Sequence, residues 1–393
     1  MSKLIHRLSE SLLRNLAEKY PVVTITGPRQ SGKTTMCRMV FPHMAYISLE
    51  EPDTREFALN DPRGFLARFP DGAILDEIQR APDLVSYIQP EVDASNFAGK
   101  YILTGSQNLS VSNTVNQSLA GRTALLTLLP FSFTEISTHW ADSKIDNRIY
   151  SGGYPRIFHR DLNPTQAMSD YVATYIERDV RQLSLVQDLT VFQKFMGLCG
   201  GRTGQIINYT RLSNDTGVAQ PTVKEWLSLL EASYICFRLP PFFSSISKRL
   251  VKSPKLYFYD VGLAAYLMGI NSPDQISTHP LRGMLFENMI VTEVMKYFFN
   301  KGQNRPGLMF YRDSNGNEVD LVIQQAADVI PLEIKSAATV NRDFFKGLKR
   351  FKSSIDRAND GILIYGGSET RIQNGVQVAN LSSLHEVLSR YFS

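Results

Sequence analysis

Gly27-Pro28-Arg29-Gln30-Ser31-Gly32-Lys33-Thr34 is the stretch that decides the fold of the N-terminal part of this chain. It matches the pattern G-x-x-x-x-G-K-[ST] in full, and its flanks are the ones that the pattern requires. An apolar, β-branched segment, residues 22–26, precedes it as a buried strand, and residues 34–40 follow it as the first turns of a helix. The glycines let backbone N–H groups turn toward an anion, and the helix N-terminus adds its dipole. The stretch therefore predicts a phosphate-binding loop; the alternative is a Gly-rich turn that matches by chance.

The polar residues of this loop suit the binding of a nucleotide. Lys33 is expected to reach the β- and γ-phosphates, and the Thr34 hydroxyl is expected to ligate Mg²⁺. We therefore predict that ATP and Mg²⁺ are the cofactors, and that residues 27–35, which end at Thr35, hold the nucleotide.

An acidic pair follows the next buried strand. Asp76 and Glu77 come directly after residues 73–75. A Mg²⁺-dependent NTPase needs one carboxylate here to hold the water shell of the metal and one to polarise the attacking water. A third strand, residues 101–104, runs into Gly105-Ser106-Gln107-Asn108, where Ser106 is a candidate sensor of the γ-phosphate or the water. A plain β-turn explains this last stretch equally well.

The composition is that of a globular protein with two or three domains. At 393 residues the chain is too long for one ordinary core. Lys and Arg number 42 against 38 Asp and Glu, and the net charge of +4 permits an anionic partner without requiring one. The three cysteines are far apart and form no C-x-x-C pair, which supports neither a disulfide framework nor a zinc ribbon and favours a reducing cytoplasm.

The N-terminus indicates no membrane attachment. Charged residues interrupt the apolar positions of residues 4–16, whose helical spacing predicts a packed amphipathic helix rather than a signal peptide. No run is long and apolar enough to span a bilayer. We therefore expect a cytoplasmic protein with no membrane partner.

A set of ordered motifs resembles a known family. The motifs are GPRQ-x-GKTT, LDEIQRAP at 75–82, LTGS at 103–106, AGR at 120–122 and GGYP at 152–155. Together they are similar to those of a prokaryotic family of AAA-type ATPases that carry a C-terminal domain of unknown function. The resemblance implies a possible homo-oligomer in which an arginine completes a neighbour's site, and Arg122 is our candidate, with Arg156 and Arg178 behind it. The alternative is a surface or salt-bridged Arg122.

The middle of the chain predicts helices and then a winged helix. Residues 168–186 have helical spacing, and residues 210–218 and 220–230 predict two helices joined by a glycine turn. Strands at 234–239 and 255–259 complete the winged-helix order. Thr222 and Lys224 are candidates to meet DNA, and a basic set is a candidate to contact phosphates: Lys248, Arg249, Lys252 and Lys255. The alternative is a winged helix used for packing or protein contacts.

The C-terminal part predicts a helix, a hairpin and a third strand. Strands at 309–313 and 318–323 are joined through Asn315-Gly316, a strong hairpin signal, and residues 329–335 follow as a strand. Asp320, with Glu333 and Lys335 on the neighbouring strand, resembles the arrangement of PD-(D/E)xK nucleases, and Glu287 matches the helix carboxylate of that family. The resemblance implies that Glu287, Asp320 and Glu333 bind Mg²⁺ and that Lys335 acts on the attacking water. The alternatives are a nuclease fold that binds without cutting and a salt bridge between Glu333 and Lys335.

The predicted fold class is α/β with three domains. Residues 1–138 are expected to form a P-loop NTPase domain of AAA type with a parallel sheet, residues 139–265 a helical and winged-helix region, and residues 266–393 an α/β nuclease-like domain. The predicted function is Mg²⁺-dependent ATP hydrolysis by Lys33, Thr34, Asp76 and Glu77, coupled to DNA or RNA. The rival is a nucleotide-gated switch that hydrolyses slowly and docks a protein partner.

Overall fold

The computed structural model describes residues 4–95, 97–106, 118–137, 144–176, 186, 188–242 and 253–392. The chain divides into two compact units. The first comprises Met1–Phe131 with Ala232–Tyr234 and Phe298–Asn304, and the second comprises Ser132–Glu231, Ile235–Tyr297 and Arg305–Ser393. The division into three domains at 138 and 265 stays a prediction.

The first unit is built on a parallel sheet of five strands in the order β2-β3-β4-β1-β5. Its strands are β1 (Val22–Thr26), β2 (Ala45–Ser48), β3 (Ala73–Asp76), β4 (Tyr101–Thr104) and β5 (Thr123–Thr127). Every residue of β1, β3 and β4 is buried, which explains why these strands read as continuous apolar runs. Its helices are α1 (Glu10–Lys19), α2 (Lys33–Val40), α3 (Pro52–Asn60), α4 (Pro62–Ala67) and α5 (Leu84–Ser95), with a 3-10 turn at Ile78–Arg80.

Apolar side chains pack on both faces of this sheet. One cluster joins Leu13 of α1 and Cys37 of α2 to Ile25 of β1, and another joins Ile88 of α5 to Leu75 of β3. The sheet therefore fixes the ends of β1, β3 and β4, where the predicted site residues begin.

The N-terminal helix is shorter than its apolar spacing predicts. It begins at Glu10, while Leu4 and Leu8 are 47% and 38% exposed. Arg7 lies between them and is buried, because its guanidinium donates to two backbone carbonyls of the first unit. Those contacts hold residues 4–8 out of the helix.

Most helices of the second unit precede its six-stranded sheet in the chain. They are α6 (Phe133–Ile136), α7 (Ile145–Ser151), α8 (Pro155–Arg160), α9 (Pro164–Tyr171), α10 (Leu189–Gly200), α11 (Tyr209–Thr216), α12 (Gln220–Ala232), α13 (Val261–Leu267), α14 (Pro273–Thr278) and α15 (Arg282–Asn300). Of the helix predicted from residue 168 to 186, α9 and a π-helix at Val172–Ile176 cover the part up to residue 176, and residues 177–185 lie outside the described residues. Strands β6 (Cys236–Leu239) and β7 (Lys255–Phe258) pair antiparallel after α11 and α12, in the predicted order.

The GGYP motif has a packing reason. Gly152 has φ +63°, and a Cβ there would lie 2.1 Å from Oδ1 of Asp260. Asp260 is buried, accepts from the Gly153 N–H at 2.7 Å and caps α13 through the Leu263 N–H at 3.1 Å. The glycines therefore let this segment approach a buried carboxylate.

A six-stranded sheet completes the second unit in the order β12-β13-β11-β10-β9-β8. Its strands are β8 (Gly307–Arg312), β9 (Glu318–Gln325), β10 (Asp328–Lys335), β11 (Ile362–Tyr365), β12 (Arg371–Gln373) and β13 (Val376–Ala379). A 3-10 turn (Arg342–Phe345), α16 (Lys346–Ser354) and α17 (Leu384–Tyr391) accompany it. The predicted hairpin between β8 and β9 is confirmed, with Gly316 at φ +80°. No helix among the described residues has the length and apolarity needed to cross a bilayer.

Candidate functional site

The predicted phosphate-binding loop lies between β1 and α2. Gly27 has φ +142° and Gly32, which precedes the first residue of α2, has φ +92°. A Cβ on Gly27 would lie 2.1 Å from the carbonyl oxygen of Leu128, so the loop requires glycine there. Gln30 also adopts a positive φ of 59°. The backbone between the two glycines thus turns back on itself before the helix begins.

Lys33 is held at this loop by backbone carbonyls. Its side chain is buried, and Nζ donates to the carbonyl oxygens of Gly27 at 3.0 Å and Pro28 at 2.8 Å. Burial lowers the pKa of Lys33 to about 8, although the carboxylates of Glu77 and Asp76 oppose that shift. A buried ammonium held by two carbonyl oxygens is suited to phosphate oxygens, because these would add negative charge at hydrogen-bond distance.

Asp76 is the centre of a cluster of hydroxyl groups. It accepts from Thr34 Oγ1 at 3.1 and 3.0 Å, from the Tyr46 hydroxyl at 2.7 Å and from the Thr104 hydroxyl. Thr34 is the second residue of α2, whereas Asp76 ends β3, so the fold brings the two predicted Mg²⁺ ligands together. A carboxylate beside a threonine hydroxyl is an all-oxygen donor set, and these two residues fit Mg²⁺.

Tyr46 and Thr104 did not emerge from the sequence. Thr104 ends β4, the neighbour of β3, so its place beside Asp76 follows from the strand order alone. Tyr46 lies on β2, the neighbour of β3 on the other side. A single aromatic hydroxyl on an edge strand carries no sequence signal for this role.

Glu77 adopts a backbone conformation that is rare for its residue type. Its φ and ψ are 59° and 47°, in the left-handed region. Its Oε2 accepts from Ser106 Oγ at 3.2 Å and from the Gln79 side-chain amide, which also donates to Ser106 Oγ at 3.1 Å. The structure thus brings Ser106 to Glu77 at the end of two neighbouring strands, and Gln79 is a further residue of this group that sequence reasoning missed.

A cavity opens beside the start of α2. Its volume is about 510 Å³, and Thr34 and Thr35 form part of its wall. The other lining residues are mostly apolar: Leu4, Arg38, Met39, Phe41, Pro42, Met44 and Tyr46. Thr35 therefore faces a space large enough for a nucleoside.

Arg7 supports the phosphate-binding loop from the N-terminal segment. Its two terminal nitrogens donate to the carbonyl oxygens of Ser31 and Leu129, each at 2.7 Å, and its guanidinium lies 4.8 Å from the ring centroid of Phe131. Arg7 is only 8% exposed. Nothing in its sequence neighbourhood distinguishes it from the other N-terminal charges.

We expect Arg7→Met to loosen the loop. Two buried carbonyls would lose their donors, so the free energy of unfolding should fall by about 2 kcal/mol and ATP affinity by about tenfold. Arg14→Met, at an exposed position of α1, is the matched control and should change neither. Thermal melts and equilibrium titration with an ATP analogue measure both effects, and an unchanged affinity in a folded Arg7→Met protein would refute the supporting role.

The candidate trans arginine is engaged within the chain. Arg122 forms a bidentate pair with Asp93, with Nε–Oδ1 at 2.5 Å and Nη2–Oδ2 at 2.8 Å. The pair raises the pKa of Arg122 and lowers the pKa of Asp93. This is the salt-bridged alternative that the sequence left open, and a role across a subunit interface stays a prediction. Arg156 is exposed on α8, and Arg178 lies outside the described residues.

The structure brings together the four nuclease-like residues, but as ion pairs. Lys335 Nζ lies 3.1 Å from Asp320 Oδ2 and 2.6 Å from Glu333 Oε1. Glu287 Oε1 accepts from Lys255 Nζ at 3.0 Å and from the Tyr257 hydroxyl. Burial, and then the Asp320 carboxylate, raise the pKa of Glu287 to about 7 and that of Glu333 to about 8.

The described arrangement does not form the Mg²⁺ site that was predicted at Glu287, Asp320 and Glu333. Within the described residues, no group of three or more His, Cys, Asp or Glu side chains is placed to hold a metal ion. Ammonium groups already contact the carboxylate oxygens of Glu287, Asp320 and Glu333, so these residues as arranged do not fit Mg²⁺. The predicted pairing of Glu333 with Lys335 is what the structure contains.

One of the phosphate contacts predicted for the winged-helix segment, that of Lys255, is wrong. Lys255 is 3% exposed and bound by carboxylates, because β7 points its side chain into the protein. Lys224 is exposed and lies over the ring of Tyr209, and Thr222 is half-buried. Lys248, Arg249 and Lys252 lie outside the described residues, so their contacts with nucleic acid stay a prediction.

Three family models match consecutive parts of the chain. Residues 19–137 match an AAA domain, residues 142–274 a domain of unknown function, DUF8612, and residues 282–384 a second domain of unknown function, DUF4143. The first match agrees with the loop and the parallel sheet described above, and together they support a P-loop fold of AAA type for this part of the chain. The nuclease-like interpretation of the C-terminal part is not shown by the third match.

The curated relatives are themselves uncharacterized. An uncharacterized protein of Mycobacterium tuberculosis is 28% identical over 334 residues, covering 83% of this chain and 73% of the relative. An uncharacterized protein of Methanocaldococcus jannaschii is 22% identical over 433 residues, covering 94% of this chain and 87% of the relative. They extend the similarity across most of the chain without adding an activity.

The solved structures that match are distant. The Walker-type ATPase PABY2304 of Pyrococcus abyssi has a TM-score of 0.48 at 13% identity and covers 67% of this chain and 96% of its own. AMPPCP-bound DnaA of Aquifex aeolicus has a TM-score of 0.30 at 13% identity and covers 57% of this chain and 86% of its own. Scores this low carry nothing from those proteins to this one.

Proposed function

We propose that the first unit binds ATP with Mg²⁺ and hydrolyses it. The observation that carries this proposal is the convergence of Lys33, Thr34, Asp76, Glu77 and Ser106 where the start of α2 meets the ends of β3 and β4. The cavity beside Thr35 supports it, because it offers apolar walls to the nucleoside next to the phosphate-binding loop.

Each residue has a distinct task in this reaction. Thr34 and Asp76 would hold the Mg²⁺ ion, which supplies charge neutralisation on the phosphate oxygens. Lys33 neutralises charge that develops on the transferred phosphoryl group. Glu77 orients and polarises the attacking water, and its hydrogen bonds with Ser106 and Gln79 fix its carboxylate.

A steady-state measurement of phosphate release separates this proposal from its rival. Turnover by the wild-type chain that responds to added DNA or RNA supports an ATPase coupled to nucleic acid. Tight ATP binding with negligible turnover under all these conditions supports the nucleotide-gated switch that docks a protein partner.

For the nuclease-like part we propose nucleic-acid binding without metal-dependent cleavage. The observation that favours this second candidate is that Glu287, Asp320, Glu333 and Lys335, which the nuclease resemblance selects, lie close together. The ammonium groups on these carboxylates argue against a divalent ion there.

We expect the full chain to cut neither DNA nor RNA with Mg²⁺ or Mn²⁺, with or without ATP. The reason is that every predicted carboxylate ligand is paired with a lysine within the protein. A gel assay with mixed single- and double-stranded substrates checks this. Metal-dependent cleavage that Lys335→Ala abolishes would restore the active-nuclease hypothesis.

A further inference from the structure

Lys255 is a buried lysine in the carboxylate cluster of the second unit. It begins β7, a strand of the two-stranded pair rather than of the six-stranded sheet. Its Nζ lies 3.0 Å from Glu287 Oε1 and 2.6 Å from Glu318 Oε1, and its side chain is only 3% exposed. The two carboxylates come from α15 and β9, so one ammonium group joins three elements.

The cluster contains more carboxyl groups than ammonium groups. Four carboxylates, those of Glu287, Glu318, Asp320 and Glu333, meet two ammonium groups, those of Lys255 and Lys335. Arg312 contacts Glu318 at 3.6 Å from the rim, where it is 43% exposed. Buried carboxylates are costly unless they are paired, so each ammonium group is needed where it is.

One carboxylate oxygen in the cluster accepts no hydrogen bond from the described residues. Glu333 Oε2 is buried and has no hydrogen-bond partner among the described residues, while Oε1 of the same group contacts Lys335. A Cβ on Gly347 would lie 3.2 Å from this oxygen, so the start of α16 closes over it. A buried acceptor with an open lone pair is an oxygen donor of the kind that a hard cation uses.

We infer that Lys255 is the resident cation of this cluster, and that its ammonium group excludes a divalent metal ion which the carboxylates would otherwise bind. The ligand that it excludes is a hard divalent cation such as Mn²⁺ or Mg²⁺, because all the donors are carboxylate oxygens. The inference depends on the geometry of the cluster and not on ATP hydrolysis by the first unit.

The electrostatics of Lys255 agree with this role. Burial disfavours its charged form, but the carboxylates of Glu287, Asp320 and Glu318 outweigh burial and raise its pKa. The lysine therefore stays charged inside the protein, which a lysine that merely fills space would not do.

The test is Lys255→Met in the full chain, titrated with Mn²⁺ in the absence of nucleotide. Removing a positive charge about 3 Å from the carboxylates should tighten Mn²⁺ binding by about tenfold or more, as followed by calorimetry. Mn²⁺ should also raise the melting temperature of the variant by more than it raises that of the wild type. Any Mn²⁺ bound by Asp76 and Thr34 is common to both proteins and cancels in the comparison.

Two controls tie the effect to the cluster. Lys296→Met removes another buried lysine, which contacts Glu293 at 2.8 Å, and should lose stability without gaining Mn²⁺ binding. Adding Asp320→Asn to Lys255→Met should abolish the new binding. If Mn²⁺ binding persists in that double variant, the inference is overturned.

The inference stays testable if Lys255→Met fails to fold. Lys255→Gln, which keeps a hydrogen-bond donor for Glu287, is the second variant if Lys255→Met does not fold. Folding of either variant that requires Mn²⁺ supports the inference. A folded variant with wild-type Mn²⁺ affinity overturns it, and so does a failure of both variants to fold with Mn²⁺ present, because a divalent ion would then not replace the ammonium group.

Discussion

Lys33→Ala should abolish ATP binding, whereas Glu77→Gln should keep ATP bound and lose turnover. Lys33 is a buried ammonium at the loop, so its loss removes the positive charge that the phosphates need. Glu77→Gln keeps the shape of the side chain and its contact with Ser106 but removes the base that polarises water. The rate constant kcat of Glu77→Gln should fall by about a hundredfold or more.

Equilibrium titration with a fluorescent ATP analogue and steady-state phosphate release measure the two effects separately. Glu18→Gln, at an exposed position of α1, is the matched control for the charge change and should behave as the wild type. Equal loss of binding in Lys33→Ala and Glu77→Gln would show that Glu77 holds the nucleotide rather than the water. Wild-type turnover in Glu77→Gln would show that the Glu77 carboxylate takes no part in hydrolysis.

The nucleotide site was predictable from the sequence because its parts are local. The loop has a fixed spacing, and Asp76 and Glu77 directly follow an apolar strand. Tyr46, Thr104 and Gln79 were not predictable, because their contacts depend on strand order and on a left-handed turn at Glu77. Single polar residues at strand ends gain a role only when the sheet is assembled.

In the second unit the sequence predicts the strands and the proximity of three site residues, but not the surroundings of Lys255. The strands and the hairpin at Gly316 follow from alternation and turn chemistry, and Asp320, Glu333 and Lys335 do come together. The assignment of Lys255 to a phosphate-binding surface was wrong, because a basic residue beside basic neighbours reads as exposed. Charge in a sequence does not reveal whether the partner is an external phosphate or an internal carboxylate.

Gly27→Ala should cost both stability and nucleotide binding. At φ +142° an alanine is strained, and its Cβ would lie 2.1 Å from the Leu128 carbonyl oxygen, a distance that real contacts do not reach. The Leu128 backbone cannot easily withdraw, because its N–H donates to the Thr26 carbonyl at 2.8 Å. The free energy of unfolding should therefore fall by about 3 kcal/mol or more, and ATP affinity by about a hundredfold.

Gly121→Ala separates the close approach from the strain of the backbone. Gly121 also has a positive φ, +76°, but a Cβ there would meet no atom of the described residues within 4 Å. The Gly121→Ala substitution should lower the free energy of unfolding by only about 1 kcal/mol and leave ATP binding unchanged. Denaturant unfolding and ATP-analogue titration of the two variants check this difference. Equal effects would mean that backbone strain alone explains the glycine at position 27, whereas a larger effect of Gly27→Ala assigns that residue to the contact between the phosphate-binding loop and Leu128.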